Sequence, residues 1–283
     1  MTINKKTYYS MVMGWCLVAF VLTAYAQQAA VPTTYRLVQN VNYRPDSTDD
    51  YIRERCVLDV YYPEQTKDFP TVVWFHGGGI TGGEKFIPQE LKEKGIAVVA
   101  VNYRLSPKVK NPAYIDDAAA AIAWVFQHIG EYGGTADKIF ATGHSAGGYL
   151  AAMVGLDKSW LRQYGVDADK LAGIIDFSGH AITHMTIRAE QGIKETQPIV
   201  DEYAPLFHVR GDAPPLVLVS GDRELELLGR YEESAYFYRM MKIAGHQHVY
   251  LYELDGFDHG AMAAPGFHIL LHHVNELTKK SVK

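Results

Sequence analysis

Ile139-Phe140-Ala141-Thr142-Gly143-His144-Ser145-Ala146-Gly147-Gly148 is the stretch that decides the fold. An apolar run that reads as a strand ends in Gly-x-Ser-x-Gly, and a helix is predicted directly after it, over Ala146–Leu156. A serine hydroxyl is a weak nucleophile unless it is exposed, rigidly held and placed beside a base. A sharp strand-to-helix turn achieves this, provided that the residues flanking the serine are very small. Gly143 and Gly147 meet that demand, and Ala146 and Gly148 keep the surroundings open. Ser145 is therefore the candidate nucleophile.

Outward from this turn, strand and helix signals alternate. Strands are predicted at Val57–Tyr61, Thr71–Phe75, Ile96–Val101, Lys138–Thr142, Gly173–Phe177, Leu216–Ser220 and Val249–Leu254. Several are continuous Val/Ile-rich runs, as expected of strands covered on both faces of a parallel sheet. Helices are predicted at Pro88–Gly95, Asp116–Ile129, Leu225–Ile243 and His268–Thr278. The fold class expected is α/β, a mostly parallel central sheet with helices on both faces. Gln27–Asn40 reads as a polar lead-in, and Arg44–Arg55 as a charged turn. The polar segment Gly179–Pro205, between two strands, is too long for a plain connection and reads as a small cap.

The chain has 283 residues, 48% hydrophobic and 21% charged, which suits one large core. A net charge of -5 offers no basic stripe, so nucleic acid is not an expected partner. Lys5 and Lys6, the apolar run Met11–Leu22 and Ala24-Tyr25-Ala26 form a predicted signal peptide, 1–26, cleaved after Ala26. Residues 27–283 then form a single domain, secreted or periplasmic, with no stable membrane insertion after cleavage. Removing the segment removes Cys16 and leaves Cys56 alone, so no internal disulfide is expected. Nothing in the chain specifies an oligomeric state.

Two further elements are needed beside Ser145. His76-Gly77-Gly78-Gly79 follows the buried-strand run Thr71–Phe75. Successive glycines let backbone N–H groups converge on a developing oxyanion. The expected donors are Gly78, Gly79 and Ala146, with Gly77 as an alternative, and no Gly-Lys-Ser/Thr follows that would suggest a phosphate cradle. Of 12 histidines, His259 is selected as the base, because Asp255-Gly256-Phe257-Asp258-His259-Gly260 follows the last strand. The acid lies in Ser220-Gly221-Asp222-Arg223-Glu224, where Asp222 and Glu224 both qualify. Glu224 is preferred, because Asp before a helix commonly caps it. His268, His272 and His273, and the pair His180 and His184, have helical spacing but lack a completing carboxylate or cysteine, so no metal is expected. No organic cofactor is expected either.

These motifs resemble the α/β-hydrolase superfamily, and within it the small carboxylesterases of the hormone-sensitive-lipase-like and bacterial feruloyl- and acetyl-xylan-esterase-like branch. The resemblance covers about Cys56 to His259 and includes Leu58-Asp59-Val60-Tyr61, Asn102-Tyr103-Arg104-Leu105-Ser106-Pro107, Tyr203-Ala204-Pro205 and Ala213-Pro214-Pro215. That branch reads His-Gly-x-x-Asp-x-x-Val after the acid strand; laid on Ser220-Gly221, it puts the acid at Glu224. The resemblance implies an α/β-hydrolase fold and two-step acyl transfer by a Ser145-His259-Glu224 triad. Joined to the signal segment, it implies a small-molecule or oligosaccharide ester as substrate, with acetyl or feruloyl groups on plant polysaccharide fragments. Gly221-Asp222-Arg223-Glu224 is also similar to the acid segment of arylformamidases, a rival activity. A hydrolase fold kept as a binding module is the non-catalytic alternative.

Overall fold

Alternate residues of the strand β3, Phe69–Phe75, face different cores, and this alternation organises the molecule. Val73 and Phe75 join one buried cluster, while Val72 and Trp74 join the other. The computed structural model describes residues 33–227 and 229–280. The predicted signal segment, its cleavage site and Cys16 lie outside the described residues.

The other strands are β1 Tyr35–Asn42, β2 Val57–Pro63, β4 Ala97–Val101, β5 Gly134–His144, β6 Gly173–Phe177, β7 Leu216–Gly221 and β8 Val249–Leu254. They form a sheet in the order β1-β2-β4-β3-β5-β6-β7-β8. β1 and β2 are antiparallel, as are β2 and β4; every later pairing is parallel. The helices are α1 Asp50–Arg55, α2 Ala113–Tyr132, α3 Ala146–Leu156, α4 Lys158–Arg162, α5 Met185–Glu190, α6 Arg230–Ile243 and α7 Ala263–Lys280. α2, α3 and α6 pack on one face of the sheet, burying Ile122, Val125, Leu150, Phe237 and Met241. α7 covers the other with Phe267, Leu270 and Val274. This is the α/β arrangement expected from the sequence. Among the described residues, no helix is long and apolar enough to cross a membrane.

The structure departs from the sequence reading in several elements. β1 occupies part of the supposed polar lead-in. It is an edge strand with mostly solvent-facing side chains, so no apolar alternation marks it. Pro88–Gly95 is reduced to a 3₁₀ turn over Gln89–Leu91. The helix expected from Leu225 starts only at Arg230, because Gly229 stands before it at φ 72° in the left-handed region. The segment that follows β6 carries a short helix, α5, pinned by Arg188. This buried guanidinium donates to the carbonyls of Thr183 at 3.0 Å, Glu195 at 2.5 Å and Gln197 at 2.8 Å.

Candidate active site

Five strand ends meet at the C-terminal edge of the parallel sheet, where ligands bind in open α/β folds. Ser145 links β5 to α3 with φ 55° and ψ −117°, a strained conformation for a residue with a side chain. Space explains the glycines around it. A Cβ on Gly147 would lie 2.0 Å from the Phe75 carbonyl oxygen, and one on Gly143 would lie 2.4 Å from the Gly147 carbonyl carbon. The Ser145 amide donates to the Phe177 carbonyl at 2.7 Å, which ties the turn to the end of β6.

The loop after β3 lies against this turn. A Cβ on Gly77 would come within 3.5 Å of Ser145 Cβ. Gly78 adopts φ 108° and Gly79 φ 61°. Among the described residues, the amides of Gly78, Gly79 and Ala146 donate to no protein acceptor, which is what an oxyanion site requires of them. The loop is braced from outside. The Tyr103 hydroxyl donates to the His76 carbonyl at 2.9 Å, and the two rings stack at 4.4 Å. Asn102 accepts from the Lys85 amide at 2.6 Å. The Thr186 hydroxyl of α5 donates to the Gly79 carbonyl, so the segment after β6 touches the glycine loop directly.

His259 follows β8. Its Nδ1 donates to Glu226 Oε2 at 2.8 Å. A carboxylate only accepts, so Nδ1 carries the proton of this bond and Nε2 is not engaged by Glu226. His144, the neighbour of Ser145, donates from Nε2 to the His259 carbonyl at 2.7 Å. Burial, the larger cause, and proximity to the His259 ring lower the His144 pKa to about 4 and keep its ring neutral. The serine turn and the histidine loop are thus clamped together.

The acid position corrects the sequence reading. Glu226 contacts His259; Glu224 is exposed, and its side chain makes no bond to the imidazole. The cause is a single helical turn after β7. The Glu226 amide donates to the Asp222 carbonyl at 2.8 Å, an i to i+4 bond that turns residues 223–225 outward and brings position 226 back over the sheet edge. Asp222 caps this turn rather than a helix. It accepts from the Glu224 amide at 2.9 Å and from the Gly256 amide at 2.8 Å, joining the loops after β7 and β8. The Glu226 side chain is fully shielded from solvent. Burial alone would raise its pKa, but the hydrogen bonds of His259 and Ser178 outweigh it and bring the carboxyl down to about 2.

Behind these groups lies a polar cluster that sequence reasoning missed. Asp176, at 2% exposure, accepts from the Gly179 amide at 2.7 Å. Burial raises its pKa to about 7. Its folded form therefore holds a proton that the unfolded chain releases near the usual carboxylate range, so this group makes stability fall as pH rises through that range to about 7. Asp176→Asn keeps the acceptor oxygen and removes the charge. It is expected to raise the Tm at pH 8 and leave it nearly unchanged at pH 4, as read by calorimetry. Buried Arg230 donates to the Ser178 carbonyl, and its Nη2 lies 2.9 Å from His180 Nε2. The only sequence signal for this cluster is the set of polar residues Asp176, Ser178 and His180 at and just beyond the end of an apolar strand.

The paired histidines have protein partners. His180 lies 3.0 Å from Glu233, His184 accepts from the Thr186 amide at 3.1 Å, and His273 lies 2.9 Å from the Tyr252 hydroxyl. Among the described residues, no group of three or more His, Cys, Asp or Glu is arranged to hold a metal.

Comparison with known proteins places this geometry. The Probable carboxylic ester hydrolase LipM of Mycobacterium tuberculosis is 33% identical over 174 residues, 54% of this chain and 40% of that protein. Esterase LipC of the same organism is 25% identical over 236 residues, 72% of this chain and 56% of that protein. The chain thus spans about half the length of these curated relatives. Among solved structures, a truncated form of a carbohydrate esterase from gut microbiota superposes with a TM-score of 0.73 at 21% identity, covering 89% of this chain and 99% of that one. Esterase B from Lactobacillus rhamnosis gives 0.68 at 20% identity, with 98% and 96% covered. The fold is that of the α/β-hydrolases. The family model BD-FAE matches residues 58–240, a span from β2 into α6 that holds the glycine loop, Ser145 and Glu226, and the chain belongs to the BD-FAE family.

Proposed function

We propose that this chain is an exported serine carboxylesterase. The observation that carries the reading is His259, oriented by a shielded Glu226, on the same sheet edge as a strained Ser145 and a glycine loop with free amides. Ser145 Oγ attacks the ester carbonyl and passes its proton to His259 Nε2. The new C–O bond leaves a tetrahedral oxyanion, held by the amides of Gly78, Gly79 and Ala146. The ester C–O bond then breaks, the alcohol takes the proton from His259, and an acyl group remains on Ser145. Water repeats the sequence and releases the acid. Relatives named carboxylic ester hydrolase and esterase support this reading.

Acetyl or feruloyl esters on plant polysaccharide fragments are the proposed substrates. A structural neighbour described as a carbohydrate esterase supports this, as does the predicted signal segment. The segment 179–205 acts as the cap. With the start of α6 it walls a cavity of about 730 Å³, lined on its apolar side by Ile182, Met185, Pro198 and Leu227, the last adjoining Glu226. Arg188, Glu195, Arg230 and Glu233 also line it, and a phenol-bearing aromatic acyl group is the occupant proposed for it.

Rates on acetylated and feruloylated oligosaccharides, measured beside a series of aryl esters, test the proposal. The oligosaccharide esters are expected to be cleaved, and Met185→Trp, by filling the cavity, is expected to raise KM for the feruloyl ester about tenfold while sparing aryl acetates. Cleavage of aryl esters alone would overturn the carbohydrate assignment.

A further inference from the structure

We propose that Ser178 is a positioning residue for this reaction: its hydroxyl anchors Glu226 to the sheet and so fixes the plane of the His259 ring. The proposal rests on the esterase reading above. Ser178 Oγ donates to Glu226 Oε1 at 2.6 Å. The same oxygen lies 3.1 Å from His259 Nδ1, so the Nδ1 proton is shared between the carboxylate and the hydroxyl. A single hydroxyl therefore touches both members of the acid–base pair.

The other donors to the carboxylate show why this one matters. Oε1 also accepts from the Gly221 amide at 3.1 Å, and Oε2 from the Leu227 amide at 3.0 Å. The Leu227 amide belongs to the loop that carries Glu226, and the Gly221 amide to the end of β7, the strand from which that loop departs. Ser178 comes from the end of β6, next to Phe177, whose carbonyl holds the Ser145 amide. The hydroxyl thus ties the acid loop to the strand that also supports the nucleophile.

The backbone at Ser178 is built to aim that hydroxyl. Its φ is 53°, a conformation that glycine adopts at no steric cost and serine does not. The conformation is held from several sides. The Ser178 amide donates to the Val219 carbonyl at 2.8 Å, its carbonyl accepts from buried Arg230, and the next amide, Gly179, is taken by Asp176. Strain of this kind persists where the surroundings over-determine it. What serine adds over glycine is the hydroxyl, and at 1% exposure that hydroxyl serves the protein interior, not solvent. The low pKa of Glu226, to which this hydrogen bond contributes, agrees with the assignment.

The test compares Ser178→Ala and Ser178→Gly, each in the wild-type and Glu226→Gln backgrounds, on p-nitrophenyl acetate. Both single variants are expected to lose about 10- to 100-fold in kcat, as outer-shell partners do, with KM little changed. Ser178→Gly, relieved of backbone strain, is expected to melt no lower than wild type, which separates the hydroxyl from the fold. In the Glu226→Gln background, removing the hydroxyl is expected to add little, because its effect passes through that carboxylate. Full activity of Ser178→Gly, a loss confined to KM, or additive losses in the double variants would each overturn the proposal. Failure of the wild-type protein to cleave the ester would instead overturn the esterase reading.

Discussion

Ser145→Ala is expected to lower kcat on p-nitrophenyl acetate by about 10⁵- to 10⁶-fold, leaving only what the glycine loop and binding supply without a nucleophile. The size of this effect follows from the geometry at the turn. Alanine keeps the Cβ and faces the same strain at φ 55°, so the hydrogen bond from its amide to the Phe177 carbonyl and the start of α3 are retained. The substitution removes one oxygen and nothing that holds the fold. An unchanged far-ultraviolet circular dichroism spectrum and a Tm within a few degrees are expected beside the lost rate. A variant that kept a tenth of the activity would mean that another group attacks the ester.

Glu226→Gln is expected to cost about 10⁴-fold in kcat, the scale seen when the acid of such a triad is neutralised and the imidazole tautomer is left unfixed. Glu224→Gln is expected to change kcat by less than about twofold, as for an exposed side chain without special contacts. The pair decides between two carboxylates only two residues apart. The pH dependence carries a second signature. The Glu226 carboxyl is depressed to about 2 in the folded protein, so the stability it contributes is complete above the ordinary carboxylate range and is lost as pH falls through that range toward 2. Wild type should therefore lose Tm more steeply than Glu226→Gln over this acid interval. A steep loss in both, with equal rates for Glu224→Gln and Glu226→Gln, would place the acid elsewhere.

The parts of the fold that were legible in the sequence share a physical cause. Strands buried on both faces, such as β3 and β4, leave continuous apolar runs, and the Gly-x-Ser-x-Gly turn announces itself because crowding at Gly143 and Gly147 admits no side chain. β1 was silent because an edge strand needs no apolar face. Ser145, His259 and the glycine loop lie at strand ends, where backbone position alone singles them out as candidates. The carboxylate that meets His259 lies two residues beyond the one the sequence selects, because its placement depends on a one-turn excursion after β7 whose direction is set by Asp222 bonding to another loop. That bond reaches Gly256, 34 positions away, and nothing in the local sequence encodes it. Ser178 and Asp176 were missed for a similar reason: their roles come from the contacts of β6 with α6 and the loop after β7, not from any spacing.

The most direct measurement is the site of covalent capture by diethyl p-nitrophenyl phosphate, a phosphate triester that stalls acyl-transfer serines. Intact-mass and peptide analysis of the wild-type protein should show one diethylphosphoryl group, carried by the peptide containing Ser145 and absent from Ser145→Ala. Stoichiometric labelling that persists in Ser145→Ala, or no labelling of a folded wild-type protein, would contradict the account.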